Sequence, residues 1–315
     1  MKSPVERRPG GRAAVSGGPP GWSSTKNSIA AALEKVRLEC DVAARLALDP
    51  VRFLHRYNNV QDIEVVAFIA SSLAFGNVKA FCGKIEVVLA HLGPSPARTG
   101  ADAATLKKKL ARFKHRFVNG GDLAALILGV CTLQREHGTV GAYFEQAVSS
   151  ARAAGDGEPL LTALIAITHA IREGGGLGKR STHGAKHVLP HPERGGANKR
   201  LLLLLRWMVR PADGVDLGLW RVDPALLVMP VDVHVHRLAR NLGFTKRNSA
   251  DWATAREVTS VLSKLDPSDP VKYDFALCHL GMSGSCPSRR DPELCEGCGV
   301  KPVCIHWSGA SRRAR

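Results

Sequence analysis

The sequence predicts an all-α protein, and three observations carry that expectation. Aromatic residues make up only 5% of the 315 positions, the polar–apolar alternation that strands need is scarce, and Ala, Leu, Arg and Lys are abundant, so helix propensity outweighs strand propensity. Apolar residues recur at helical spacing in segments separated by short turns of Gly, Pro, Asn or Asp. At 44% hydrophobic content a chain of this length can bury a real core.

Taken in order, residues 1–27 are rich in Arg, Pro, Gly and Ser and read as a disordered basic tail. Helices are expected at about 28–47, 61–75, 78–92, 103–117, 121–136, 139–153 and 158–173. A Gly- and His-rich break follows over 174–197. The string "LLLLLRWMV" at 201–209 lies within a helix over 198–210 that must be buried, and Pro211 halts it. Further helices are expected at 232–242, 250–264 and 270–281, and no repeat of fixed period is present.

The segment "VDVHVHRLARNLG", 231–243, supports two readings. With period two it is a half-buried strand presenting Asp232, His234 and His236 as a metal site, which suggests a metallohydrolase. With period 3.6, Asp232 caps a helix whose buried stripe is Val235, Leu238, Ala239 and Leu242, and Gly243 ends it. The helix explains more of the residues, because the alternation lasts only six positions. On a helix the two histidines face nearly opposite ways and cannot share an ion.

Lys plus Arg exceeds Asp plus Glu by 44 to 28, a formal charge of +16. Such a surplus favours polyanionic partners, nucleic acid first. Two internal runs concentrate it. "LKKKLARFKHRF", 106–117, carries six basic residues and no acid, and "GKRSTHGAKHVLPHPERGGANKR", 178–200, carries six against Glu193. Each can be a solvated face or a phosphate contact. No apolar run approaches the roughly 18 residues of a membrane span. The expectation is therefore a cytoplasmic, nucleoid-associated protein without a membrane partner.

Four of the eight cysteines fall near the end as Cys286-x8-Cys295-x2-Cys298-x5-Cys304. A Cys-x2-Cys turn lets two thiolates converge, and flanking cysteines can complete a set of four ligands. A [4Fe–4S] cluster tolerates unequal gaps and is the first expectation; tetrathiolate zinc, which usually uses two x2 knuckles, is the second. Disulfides do not suit a cytosolic chain. Cys40, Cys82, Cys131 and Cys278 sit among apolar neighbours and read as buried thiols.

"YDFALCHLG" followed by this cysteine loop resembles the C-terminal iron–sulfur loop of the endonuclease III-like helix-hairpin-helix DNA glycosylases, whose usual first gap is x6. "MPVDVHVHRLARNLGF" is similar to the segment in which that superfamily's catalytic Asp opens a helix, and Asp232 is the matching position. Together with "KRLLLLLRWMVR", "GVDLGLW" and "DPVKYDFALCHLG", these strings resemble a little-characterised bacterial family of glycosylase relatives, defined as a domain of unknown function. The usual Leu-Pro-Gly-Val-Gly hairpin string is absent, with "PERGGANKR" as the nearby substitute.

The resemblance implies an all-α, two-lobed helix-hairpin-helix DNA glycosylase-like fold with a C-terminal [4Fe-4S] loop. Residues 28–59 and 201–285 would form one lobe, 60–200 the central bundle, 286–304 the cluster loop and 305–315 a basic tail. The implied partner is double-stranded DNA with a damaged or abasic nucleotide, bound by a monomer. Asp232 would stabilise the sugar as it turns cationic. Lys199, in the first turn of its helix beside Arg200, would attack the sugar carbon in abasic-site lyase chemistry, or merely contact phosphate. Gly195, Gly196, Arg200, Arg237, Arg240, Arg289, Arg290 and Lys301 are the candidate DNA contacts. Trp207 and Trp220 flank the presumed cleft in sequence, Trp207 as a core residue. A non-catalytic iron–sulfur nucleic-acid-binding protein and the metallohydrolase are the alternatives.

Overall fold

A computed structural model describes residues 22–180, 182–282 and 286–308, and among them the chain is overwhelmingly helical. In order the helices are α1 (Trp22–Leu38), α2 (Val42–Leu46), α3 (Val60–Leu73), α4 (Val78–Leu92), α5 (Pro96–Gly100) and α6 (Ala103–Leu110). A two-stranded antiparallel ribbon follows, β1 (Lys114–His115) and β2 (Val118–Asn119). The remaining helices are α7 (Gly120–His137), α8 (Val140–Ala153), α9 (Pro159–Gly174), α10 (His183–Val188), α11 (Lys199–Val209), α12 (Val233–Asn241), α13 (Trp252–Leu265) and α14 (Asp274–Met282). No helix is long and apolar enough to cross a membrane among the described residues.

Side-chain caps set where most of these helices begin. Asn59, Asn77, Thr139 and Asp251 each accept a backbone N–H from the first turn of α3, α4, α8 and α13. Asn119 and Asp122 close a reciprocal capping box on α7. Such a cap contributes about 1 kcal/mol. The core forms around α3, which is buried from Asp62 to Leu73 and packs against α4, α5, α7, α11 and the 3₁₀ turn Pro50–Arg56. A helix apolar all round belongs at the centre. The same holds for α11, buried from Leu201 to Val209.

Charges inside this core are paired. Arg206 meets Asp216 at 3.1 Å and Asp274 at 2.5 Å, and Arg210 bridges Asp213, Asp216 and Asp269. Glu64, fully buried, accepts from Gln134, from the N–H groups of Val140 and Gly141, and from the Trp220 indole at 3.0 Å. Burial raises its carboxyl, and these donors pull the other way.

Several sequence expectations need correction. The helix expected over 103–117 stops at Leu110. Phe113, His115 and Val118 are buried while their neighbours Lys114 and Arg116 are exposed, so a short strand pattern lay inside the basic run. The break over 174–197 contains α10, capped by Thr182, and the helix expected over 28–47 divides where Asp41 caps α2. Of the expected basic tail over 1–27, α1 already begins at Trp22, while residues 1–21 lie outside the described residues. In the tail expected over 305–315, Ile305 donates to the Asn241 carbonyl at 2.8 Å and Trp307 to that of Cys304 at 2.9 Å. Residues 309–315 lie outside the described residues.

The two ends of the described chain meet. Helix α1 packs on α14 and on the turn Lys301–Val303, with Glu34 3.8 Å from Lys272. Gly299 fits against Val36 so closely that a Cβ there would lie 2.6 Å from Val36 Cγ2.

Candidate functional site

The period-two reading of 231–243 fails: Val233–Asn241 is helical and Asp232 is its N-cap. One carboxylate oxygen, Oδ1, accepts from the N–H groups of both His234 and Val235 at 2.9 Å. The other makes no hydrogen bond to a described residue. The strand pattern arose because Val231 is buried outside the helix while Val235 is buried within it. His236 bonds the Arg247 carbonyl at 3.0 Å, whereas His234 lies beside Arg237. Asp232, His234 and His236 therefore do not converge on an ion. The group of three His, Cys, Asp or Glu donors that does converge among the described residues is His169, His191 and Glu193, within 4.8 Å of one another on another face.

Asp232 and Lys199 line the same cavity of about 470 Å³, together with Phe75, Arg200, Asp274 and Cys278. Lys199 opens α11, and its ammonium makes no hydrogen bond or ion pair with a described residue. Asp274 is buried and held by Arg206; burial raises its carboxyl, Arg206 and Lys199 draw it down, and Asp232 pushes it up. Burial, then Asp232 and Asp274, push the Cys278 thiol up, and Lys199 draws it down. In the sequence Cys278 reads only as a buried thiol, and Asp274 is not singled out. Their i,i+4 spacing, which puts both on one helix face, was the available signal.

Helix α12 stands on α14 at unusually close range. A Cβ on Gly281 would lie 2.9 Å from the Cβ of His234, so only Gly allows this approach. On the other side of α12 a second concavity, about 460 Å³, is lined by His236, Arg237, Arg240, Lys246 and His306. Val233, 71% exposed, belongs to both linings and stands between the cavity and this basic groove.

The other candidate contacts divide. Arg200 does not reach outward: it donates to the carbonyls of Ser72 at 2.8 Å and His187 at 2.6 Å, and burial lowers it to about 10. It frames the cavity. Gly195 is also committed, its N–H to the Pro192 carbonyl and its own carbonyl to the N–H of Trp252, and Gly196 forms a β-bridge with Asp251. The Gly195 N–H is thus taken, and the segment is pinned rather than a free linker. Arg237 gives one nitrogen to the Gly281 carbonyl at 2.9 Å, while Arg240 lines the groove. Trp207 and Trp220 are both core residues, 0% and 2% exposed.

Cys286, Cys295, Cys298 and Cys304 line one small enclosure of about 20 Å³ with Asn241, His306 and Trp307. Asn241 donates to Cys286 Sγ at 3.4 Å. Burial raises the Cys298 and Cys304 thiols, and N–H groups of Val300, Lys301 and His306 pull them back toward thiolate. Among the described residues no three of these sulfurs come within 4.8 Å of one another. The Arg290 guanidinium and the Lys301 ammonium lie 4.1 and 4.6 Å from the Trp307 ring centroid, and Arg289 borders the enclosure. Of the other cysteines, Cys82 and Cys131 are buried as expected, but Cys40 and Cys278 are only half-buried.

Compared with known proteins, residues 49–283 match the model of a family described as protein of unknown function (DUF2400). No curated protein and no solved structure matches the chain.

Proposed function

The chain belongs to the DUF2400 family, and we propose that within it this protein acts as a DNA-repair glycosylase, cleaving the N-glycosidic bond of a damaged base, with abasic-site lyase activity. The observation that carries this is the pairing of an anion and an amine in one cavity. Asp232, pinned through one oxygen, and Lys199, uncommitted, line the same space, and the exposed Val233 stands between it and a basic groove. The two-lobed helix-hairpin-helix arrangement belongs to the same proposal.

In this reading the C1′–N bond breaks with its electron pair leaving on the base, and the sugar acquires positive charge. Asp232, fixed by two backbone N–H groups, stabilises that charge without reorganising. The Lys199 amine attacks C1′ and its proton passes to O4′ as the C1′–O4′ bond breaks, leaving an imine on the opened sugar; loss of a C2′ proton then expels the 3′ phosphate by β-elimination. Arg237, Arg240 and Lys246 supply the groove for the phosphates.

The four cysteines would hold a [4Fe–4S] cluster. Zinc at about 2.3 Å from each of four sulfurs would bring them to about 3.8 Å from one another. Among the described residues no three of the sulfurs gather within 4.8 Å, and N–H donors already point at Cys298 and Cys304. The cluster supplies a structural brace and takes no part in bond cleavage.

The test is a screen of the purified full chain against duplexes bearing oxidised, deaminated, alkylated or abasic sites. Asp232→Asn, which can still cap α12, should lower base release on the order of 100-fold. Borohydride should trap a covalent adduct on abasic DNA that Lys199→Ala abolishes. Binding of DNA without release from any lesion class would leave a non-catalytic nucleic-acid-binding protein instead.

A further inference from the structure

The two basic runs of the sequence, 106–117 and 178–200, meet in space, and what they enclose is a set of rings. Phe117, in the two-residue turn between β1 and β2, stacks on Phe75 with centroids 5.4 Å apart and planes 15° from parallel. His183 and His187, one turn apart on α10, stand edge-on to Phe117 at 4.4 and 4.7 Å. His115 and His187 flank Phe75 at 4.5 and 4.4 Å. Phe75 is also part of the wall of the Lys199–Asp232 cavity, with the Arg200 guanidinium 5.7 Å from its ring.

A ring cluster that served only to pin the ribbon to α10 would hide its rings and match its polar atoms. This one does so only in part. Phe117 is 38% exposed and His183 is exposed, while Nε2 of His187 is buried without a hydrogen-bond partner. The turn is also strained: Arg116 adopts φ +53°, a left-handed conformation unfavourable for Arg. Its guanidinium lies against Gly76 at the cavity wall, where a Cβ would sit 3.2 Å from Nη1. Exposed aromatic faces next to cations, continuous with a cavity, are the surface on which planar bases of an anionic polymer stack.

We propose that Phe117, His183 and His187 form a stacking subsite for one nucleobase of an unpaired nucleotide whose sugar reaches Asp232, with Arg116 beside it for phosphate. The inference rests on the reading of the cavity given under Proposed function. It assigns the base-recognition surface to the ribbon and α10 rather than to the tryptophans. His183, exposed beside Phe117, supplies a ring nitrogen for a base edge.

The experiment compares the full chain's affinity for a duplex with one unpaired nucleotide and for the same duplex fully paired. Phe117→Ala should reduce that preference roughly tenfold, and Phe117→Tyr should retain it. Circular dichroism checks the fold, and should Phe117→Ala fail to fold, His183→Ala at its exposed position carries the same expectation. Photocrosslinking from 5-iodouracil at the unpaired position should label the peptides carrying Phe117 or His183. A folded Phe117→Ala protein with unchanged preference, or crosslinks confined to other peptides, overturns this subsite while leaving Asp232-dependent base release standing. No binding to either duplex overturns both.

Discussion

At the scale of single residues, the chemistry depends on which charged groups the fold leaves uncommitted. Arg200, Arg206 and Arg210 are all taken up by carbonyls or carboxylates, whereas Lys199 is not. Sequence alone could rank Asp232, because the stripe of Val235, Leu238 and Ala239 makes it the first residue of a helix. It could not rank Arg200, whose partners at Ser72 and His187 are brought to it by tertiary packing. His187 provides a pH test. Burial, reinforced by Arg200, His183, His115 and Arg116, lowers it to about 3 from its ordinary 6.5. A depressed folded value means its contribution to stability is present above about 6.5 and lost as pH falls toward 3. Melting temperature should therefore decline on acidification through that window, and His187→Phe, which keeps a ring but cannot protonate, should flatten the decline. An unchanged slope would place the acid sensitivity elsewhere.

At the scale of elements, the precise seat of α12 on α14 fixes where Asp232 stands. Gly281→Ala places a methyl 2.9 Å from the His234 Cβ. The helices must part, and the expected result is a loss of about 1–3 kcal/mol in denaturant unfolding, with base release falling more than DNA binding. The helices themselves were legible because their caps are local: an Asn, Asp or Thr before an apolar stripe needs no knowledge of the rest of the chain. The ribbon over 114–119 was not. Its Lys and Arg residues mask an alternation of only Phe113 and His115, and its reason for existing is the packing of Phe117 on Phe75, some forty positions earlier. The cavity was half legible for the same reason: Lys199 and Asp232 head helices, while Asp274 and Cys278 required knowing which face of α14 turns inward.

At the scale of the molecule, the charge of +16 meets two concavities and a sulfur-lined loop. Affinity for DNA should fall steeply with salt, and Arg240→Ala should reduce the slope of log Kd against log salt by about one. If the slope is unaltered, the phosphates run elsewhere. Cys298→Ser should abolish visible iron–sulfur absorbance and lower the melting temperature, because the loop packs on α1 through Gly299 and Val36. That packing joins α1 to segments more than two hundred positions later in the chain. On the ribosome the side of α1 that faces α14 and the turn Lys301–Val303 stays uncovered until those segments have emerged. Chains halted before α14 would keep that sticky face exposed, a ready mark for chaperones and proteases.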